Sequence, residues 1–397
     1  MSQSTKTNEM EVDFDVPKYL SDERQKAPSH LQHYFTTFED LYERKQVDDH
    51  KLWHQLTQHI LDFFKQAESG PFKVNVYQQF VAEWENKINR LSLVTIALQA
   101  ASQCQDAQSS VDFLQPIISK VDTPDTQDVY VLAVMESAHF QLMLGQADAV
   151  KKVMDRCEKI LDGFDSVETA IHASFYRVSA EYFKSQADYV HYYKSALLFL
   201  ACVNVDEMSA GERVERAYDL AMAALLGDNI YNFGELLMHP VLDSLTNTEH
   251  DWLRTLLFTF NNGDIGKFEA LGPHLSKQPL LQQNSAALNQ KICLMSLIEA
   301  VFRRSGDNRV IPFSEIASET RLSVDEVEHL VMKALSIQLL RGSIDQVDQL
   351  VVVTWVQPRV LDKSQIDGMR RKLEDWNNQV KKISTFVGQQ GGEVFAQ

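Results

Sequence analysis

Only four cysteines, Cys104, Cys157, Cys202 and Cys293, occur in 397 residues. They are far apart and form no Cys-x-x-Cys pair, which argues against a disulfide framework and a zinc knuckle. All four fall in apolar helical stretches and are expected to be buried free thiols of a reducing compartment. Long apolar runs are lacking too: none approaches the roughly 18 residues of a membrane span. The opening residues, MSQSTKTNEMEVDFDV, have no apolar core, so no secretory signal is expected there. Together these absences point to the cytoplasm and nucleus. Positive charge is scarce: 38 Lys and Arg against 55 Asp and Glu leave a net charge of −17. That disfavours nonspecific binding to nucleic acid or acidic membranes and favours solubility.

Catalytic signatures are missing as well. There is no G-x-x-x-x-G-K-[ST] and no G-x-G-x-x-G, hence no visible nucleotide cradle, and no G-x-S-x-G. His50 and His54 lie one helical turn apart with His59 beyond, but Lys51 stands where a zincin needs glutamate. His30 and His33 sit at the edge of a polar lead. Solvated or half-buried helix histidines explain both groups better than a metal site. Tyr182, Tyr189, Tyr192 and Tyr193 are read as packing between helices. No enzyme, cofactor or metal is expected.

What is present is helical, and the fold class is mainly α. Residues 1–28 are a polar, mixed-charge lead, expected to be disordered. From 29 to 285, amphipathic helices follow one another with short breaks. Leu52, Leu56, His59, Ile60 and Phe63 trace one face, and Trp84, Ile88, Leu91 and Thr95 another. Short turns recur: Gln146-Ala147-Asp148, Gln186-Ala187-Asp188, Gly227-Asp228 and Asn262-Gly263-Asp264. Helix pairs joined by such turns at roughly forty residues suggest an α-solenoid, whose stacked repeats share one core. A plain helical bundle is the competing architecture. Leu294, Leu297, Ile298, Val301 and Phe302 form a joining helix, closed by Arg303-Arg304 and Gly306.

Residues 286–360 carry a winged helix with a small β-sheet. Phe313 to Glu319 is a short helix and Thr320-Arg321-Leu322 a turn. Ser323-Val324-Asp325-Glu326 is a capping box, flanked by Leu322 and Val327 as a hydrophobic staple. The helix it opens carries Val324, Val327, Leu330, Val331, Ala334 and Leu335 on one face. Leu339 to Asp345 and Leu350 to Val356 read as two strands around a polar turn. The second is so apolar that burial on both faces, or pairing with a partner, is expected. Leu350 and Val352 are therefore candidate partner contacts. Winged helices often read nucleic acid, but the charges here are wrong. Six acids (Glu315, Glu319, Asp325, Glu326, Glu328, Asp345) face three bases (Arg321, Lys333, Arg341). Carboxylates set against phosphates would be repelled. Protein contact is the stronger reading of this module, nucleic-acid binding the weaker.

Residues 361–388 form a heptad helix. Ile366, Met369, Leu373, Trp376, Val380, Ile383 and Val387 repeat at alternating spacings of three and four, an a/d seam. The helix either folds back on the winged helix or packs against helices of other chains; the seam's length favours the latter. These seven residues join Leu350 and Val352 as candidate partner-binding residues. Residues 389–397 are expected to be a flexible tail.

Helical repeats, then a winged helix, then a terminal helix is the layout of the PCI domain. That domain occurs in the proteasome lid, the COP9 signalosome and a translation initiation factor complex. The stretch Lys291 to Val353, with KICLMSLIEAVFRRSGDNRVIPFSEIASETRLSVDEVEHLVMKAL and then RGSIDQVD, narrows the match. It resembles the PCI-domain lid subunits of the 26S proteasome regulatory particle, and among them the non-ATPase regulatory subunit 13 family. The resemblance implies a non-catalytic scaffold in ubiquitin-dependent protein degradation, in a hetero-oligomer with other PCI and MPN subunits. It also implies winged helices joined side by side and terminal helices gathered in a bundle. The lid's deubiquitinase carries a zinc-binding His-x-His motif. His30-Leu31-Gln32-His33 has the wrong spacing for it. Scaffolds of the COP9 signalosome or the initiation factor complex are the alternatives within the same architecture.

Overall fold

The computed structural model describes residues 16–44, 50–275, 278–304, 309–358 and 363–391. The chain divides into two compact units, Met1–Gln186 with Leu198–Val203, and Ala187–Leu197 with Asn204–Gln397. The division falls inside the helical region rather than at the start of the winged helix.

The first unit opens with α1 (Val16–Lys26). Much of the lead expected to be disordered is thus helical; residues 1–15 lie outside the described residues. Mixed charge hid this helix, but Val16 and Leu20, one turn apart, are both buried. They pack α1 on α2 (Gln32–Glu43), and α3 (His50–Lys65) follows. Edge-to-face aromatic pairs hold this end together: Phe35 with Phe63 at 5.3 Å and Phe38 with Phe63 at 5.8 Å. Next come α4 (Arg90–Ala101), α5 (Ala107–Val121), α6 (Gln127–Met143), α7 (Ala147–Leu161) and α8 (Thr169–Ser185). The middle helix, α6, packs on α5, α7 and α8. That explains why its buried residues circle the whole helix, from Val129 through Ala138.

Three helix-to-helix turns share one geometry. Gly145, Ala187 and Gly263 each take a left-handed φ of 78°, 56° and 63° two residues before the next helix. The matching Gln-Ala-Asp triplets are therefore out of structural register: Gly145, not Ala147, is the counterpart of Ala187. At Gly227 the turn differs. Its φ is −67° and Asn229 supplies the left-handed residue instead.

The second unit contains α9 (Ala210–Leu226), α10 (Asp251–Asn261) and α11 (Ser285–Arg303). Beyond them lies the winged helix: β1 (Val310–Pro312), α12 (Phe313–Thr320), α13 (Val324–Ser336), β2 (Leu340–Asp345) and β3 (Leu350–Val356). The capping box forms, with the Glu326 carboxylate accepting from the Ser323 N–H at 3.1 Å and its hydroxyl at 2.8 Å. The sheet has a third strand that the sequence did not announce, and its order is β1-β3-β2, all antiparallel. The register breaks between Arg341 and Gly342. A Cβ on Gly342 would stand 2.0 Å from the Val352 carbonyl oxygen, so only glycine allows that approach. The final helix, α14 (Lys363–Gly391), runs past the expected boundary at 388.

Candidate assembly surfaces

The outward face of α13 is the surface a DNA reader would lay in the major groove. Val327, Leu330, Val331 and Ala334 are buried as expected, but Val324 is exposed at the helix start. Asp325 and Glu326 are exposed with it, and Glu328 is half-buried. The Ser323 side chain and N–H lower the Glu326 pKa, keeping it ionised. Among the bases, Arg321 binds the Glu269 carboxylate at 2.5 Å and Arg341 lies over the Trp355 ring at 4.6 Å. Acid therefore dominates the groove-facing surface, which repels phosphate.

The sheet's inner face carries Ile311, Val351 and Val353, all buried. β3 is paired on both edges by strands of its own chain, so the expectation that it completes a partner's sheet does not hold. Nor is it buried on both faces. Val352 points outward, 37% exposed, opposite Val310 on β1 and Ser343 on β2. Leu350 is half-buried at the end of β3. Val310, exposed beside Val352, extends this outer apolar patch. It went unnoticed in the sequence because a three-residue strand ending at Pro312 has no period of its own.

The seam of α14 is in solvent. Ile366, Met369, Leu373, Trp376, Val380, Ile383 and Val387 are between 43% and 65% exposed. Phe386, the residue before Val387, is exposed beside them. Counting threes and fours steps over it, because it sits on the flank of the stripe. The helix does not fold back to bury its seam on its own chain. Full burial of these seven side chains would be worth about 10–20 kcal/mol, at about 1.5–3 kcal/mol for each.

One enclosed cluster was invisible in the sequence. Lys291 of α11 is buried beneath a cavity of about 540 Å³ lined by Tyr189, Asp228, Asn229, Tyr231 and Lys333, among others. Its Nζ donates to the carbonyls of Ala224, Leu225 and Gly227 at 2.7, 3.1 and 2.9 Å. These are the orphan carbonyls of the α9 C-terminus, where a cation is favoured. Its Nζ also lies 5.3 Å from the Phe233 ring centre. Burial pulls the Lys291 pKa down to about 7, with Asp228 pulling the other way.

Tyr182, Tyr192 and Tyr193 are buried, Tyr189 half-buried. His30 lies 3.2 Å from Glu68 at the surface. Among the described residues, no group of three or more His, Cys, Asp or Glu could hold a metal ion. Cys157 is buried, which pushes its thiol up to about 12, whereas Cys104, Cys202 and Cys293 are only half-buried.

Comparison with known families matches the whole architecture. Residues 34–257 match PSD13 N-terminal repeats, residues 269–355 a PCI domain, and residues 359–391 an Rpn9 C-terminal helix. A protein named probable 26S proteasome regulatory subunit rpn9, from Schizosaccharomyces pombe, is 41% identical over 97% of this chain and 99% of its own. The 26S proteasome non-ATPase regulatory subunit 13 homolog A of Arabidopsis thaliana is 37% identical over 93% of this chain and 96% of its own. The 26S proteasome regulatory subunit RPN9 of Saccharomyces cerevisiae is 37% identical over 96% of this chain and 98% of its own.

Proposed function

The chain belongs to the Rpn9 family of 26S proteasome regulatory subunits, also named non-ATPase regulatory subunit 13, and from that premise we propose that it is a structural subunit of the regulatory-particle lid. It acts by holding other subunits in place during ubiquitin-dependent degradation, without chemistry of its own. The observation that carries this reading is the exposed seam of α14, a binding surface with no covering inside its own chain. The outer face of the winged-helix sheet, at Leu350 and Val352, is the second contact. Its partners are the other PCI and MPN subunits of the lid, and its place is the cytoplasm and nucleus. Among the described residues no helix is long and apolar enough to cross a membrane.

Two family matches favour this complex over the COP9 signalosome or the initiation factor complex: the N-terminal repeats and the terminal helix both carry proteasome-subunit descriptions. The test is affinity purification of the tagged chain from its own cells, followed by mass spectrometry. Lid subunits should co-purify in fixed ratio, and Trp376→Glu with Val380→Glu should deplete them. Recovery of signalosome or initiation-factor subunits instead, or full co-purification by the double variant, would overturn the reading.

A further inference from the structure

The wing ends in a built turn. Gln346, Val347, Asp348 and Gln349 join β2 to β3. The Asp345 carboxylate accepts from the N–H groups of Val347 and Asp348, both at 3.1 Å, as in an Asx turn. Gln346 Nε2 donates to the Glu328 carboxylate of α13 at 3.0 Å, and the Gln349 carbonyl accepts from the Phe313 N–H at 2.8 Å. Held at these points, the turn presents Val347 at 92% exposure, more than any other large apolar side chain among the described residues. The Gln346 contact sets the turn beside the middle of α13. Val324 and Met332, four residues either side of Glu328, lie along that side of the helix and are 38% and 51% exposed. Three exposed apolar side chains from two elements therefore flank one hydrogen bond. Asp325, Asp345 and Asp348 are exposed around them. The bases of the module are engaged elsewhere: Arg341 stacks on Trp355 at the other end of the hairpin, Arg321 pairs with Glu269, and Lys333 lines the cavity over Lys291.

We infer that the wing turn and α13 together dock a basic segment of another protein. Val324, Met332 and Val347 are its apolar anchors, and its Lys or Arg side chains meet Asp325, Glu328, Asp345 and Asp348. This goes beyond the assembly reading above, which places contacts on α14 and on the outer face of the sheet. One exposed valine alone would carry nothing, but three beside a polar rim form a contact patch. Charge complementarity chooses the occupant. The same carboxylates repel nucleic acid and acidic membrane. A second copy of this surface brings the same acids and is repelled as well. The turn is already tied in place, so binding leaves little backbone to order.

A photoreactive benzophenone side chain is placed at Val347 or at Met332, one position at a time, in the full chain in its own cells. After irradiation the attached peptides are mapped by mass spectrometry. Both positions should capture the same segment, one of net positive charge with apolar residues between its Lys and Arg. Asp325→Lys with Asp348→Lys should cut that capture roughly tenfold, from two rim charges switched from attraction to repulsion. Asp325→Asn with Asp348→Asn keeps the shape without the charge and should give an intermediate loss. Circular dichroism checks the fold of each variant, and if the Lys pair unfolds the Asn pair decides. Capture of a neutral or acidic segment, of nucleic acid, or of a second copy of the chain would overturn the inference. So would no adduct at either position, or capture undiminished in the folded charge variants. If lid subunits co-purify with the chain while no basic segment is captured, this inference falls and the assembly reading stands.

Discussion

The Lys291 ammonium lies 2.9 Å from the Gly227 carbonyl oxygen, its third contact with the end of α9 after Ala224 and Leu225. Three acceptors match the three hydrogens of an ammonium. The contact ties α11, the helix leading into the winged helix, to the C-terminus of α9. Lys291→Met keeps the aliphatic length but leaves those carbonyls without a donor. A loss of about 2–4 kcal/mol is expected, read as a lower denaturant midpoint. An unchanged midpoint would mean that water replaces the ammonium at no cost.

The same lysine gives a signed pH dependence. Its pKa is about 7 in the folded chain against 10.5 for an ordinary lysine. Between those values the unfolded chain holds the extra proton, so stability rises with pH there. Below about 7 the lysine is protonated in both states and the slope vanishes. The wild-type midpoint, measured relative to Lys291→Met, should therefore climb from pH 7 towards 10 and stay flat below 7. A flat difference across the whole range would show that the three carbonyls hold the proton as firmly as water does.

Gly263→Ala should be costly although it adds one methyl group. The residue has a φ of +63°, and a Cβ there would stand 2.5 Å from Ser296 Cα on α11. Backbone cannot yield as a side-chain tip can. The left-handed conformation alone costs about 1 kcal/mol for alanine, and the contact adds to it. Gly145→Ala has the same kind of φ but open space around the new Cβ. Thermal unfolding of both variants should show a drop at least twice as large for Gly263→Ala.

Local features were legible in the sequence and long-range ones were not. The capping box at Ser323 and Glu326 lies within four residues, and the α14 heptads are a period that needs no partner to be seen. By contrast, β1 is defined only by its pairing with β3, some forty residues on. α1 was hidden because its two buried residues, Val16 and Leu20, sit among charges. The role of Lys291 depends on carbonyls more than sixty residues earlier. Repeat register failed for a related reason: the turn needs a left-handed residue, which Gly145 supplies from just before its triplet and Ala187 from the middle of its own.

Val351 and Val352 are neighbours with opposite fates. Val351 is buried in the inner face of β3 and Val352 points outward. Val351→Asp places an unpaired carboxylate in the core and should unfold the winged helix. Val352→Asp should fold, with a loss of about 1 kcal/mol or less, and should weaken assembly instead. Circular dichroism and co-purification of the two variants separate these outcomes. Unfolding of both would show that the outer face has no role beyond the fold.

The acidic face of α13 predicts no nucleic-acid binding above that of an unrelated protein of similar charge. Asp325 and Glu328 would meet phosphate, and two of the module's three bases already engage Glu269 and Trp355. Titration with duplex DNA and with RNA at physiological salt checks this. Submicromolar binding that weakens on Lys333→Ala would contradict it.

Ending the chain at Pro358 should remove α14 without harming the rest. The seven seam residues are all exposed, so their loss leaves no cavity and no unpaired buried group. Surface deletions of this kind cost under about 0.5 kcal/mol, a shift of about 2 °C or less in Tm. Helical ellipticity should fall by at most the share of the 29 residues of α14. The fall should be smaller than that share if the helix frays alone, since isolated helices are marginal in water. Partner burial is what would order it fully: each large side chain is worth about 1.5–3 kcal/mol when fully buried, less the cost of fixing the helix and of association. A truncated chain that melts many degrees lower would mean that α14 contributes to its own unit's core after all. An unchanged Tm with complete loss of co-purifying subunits would place the function of this helix wholly in assembly.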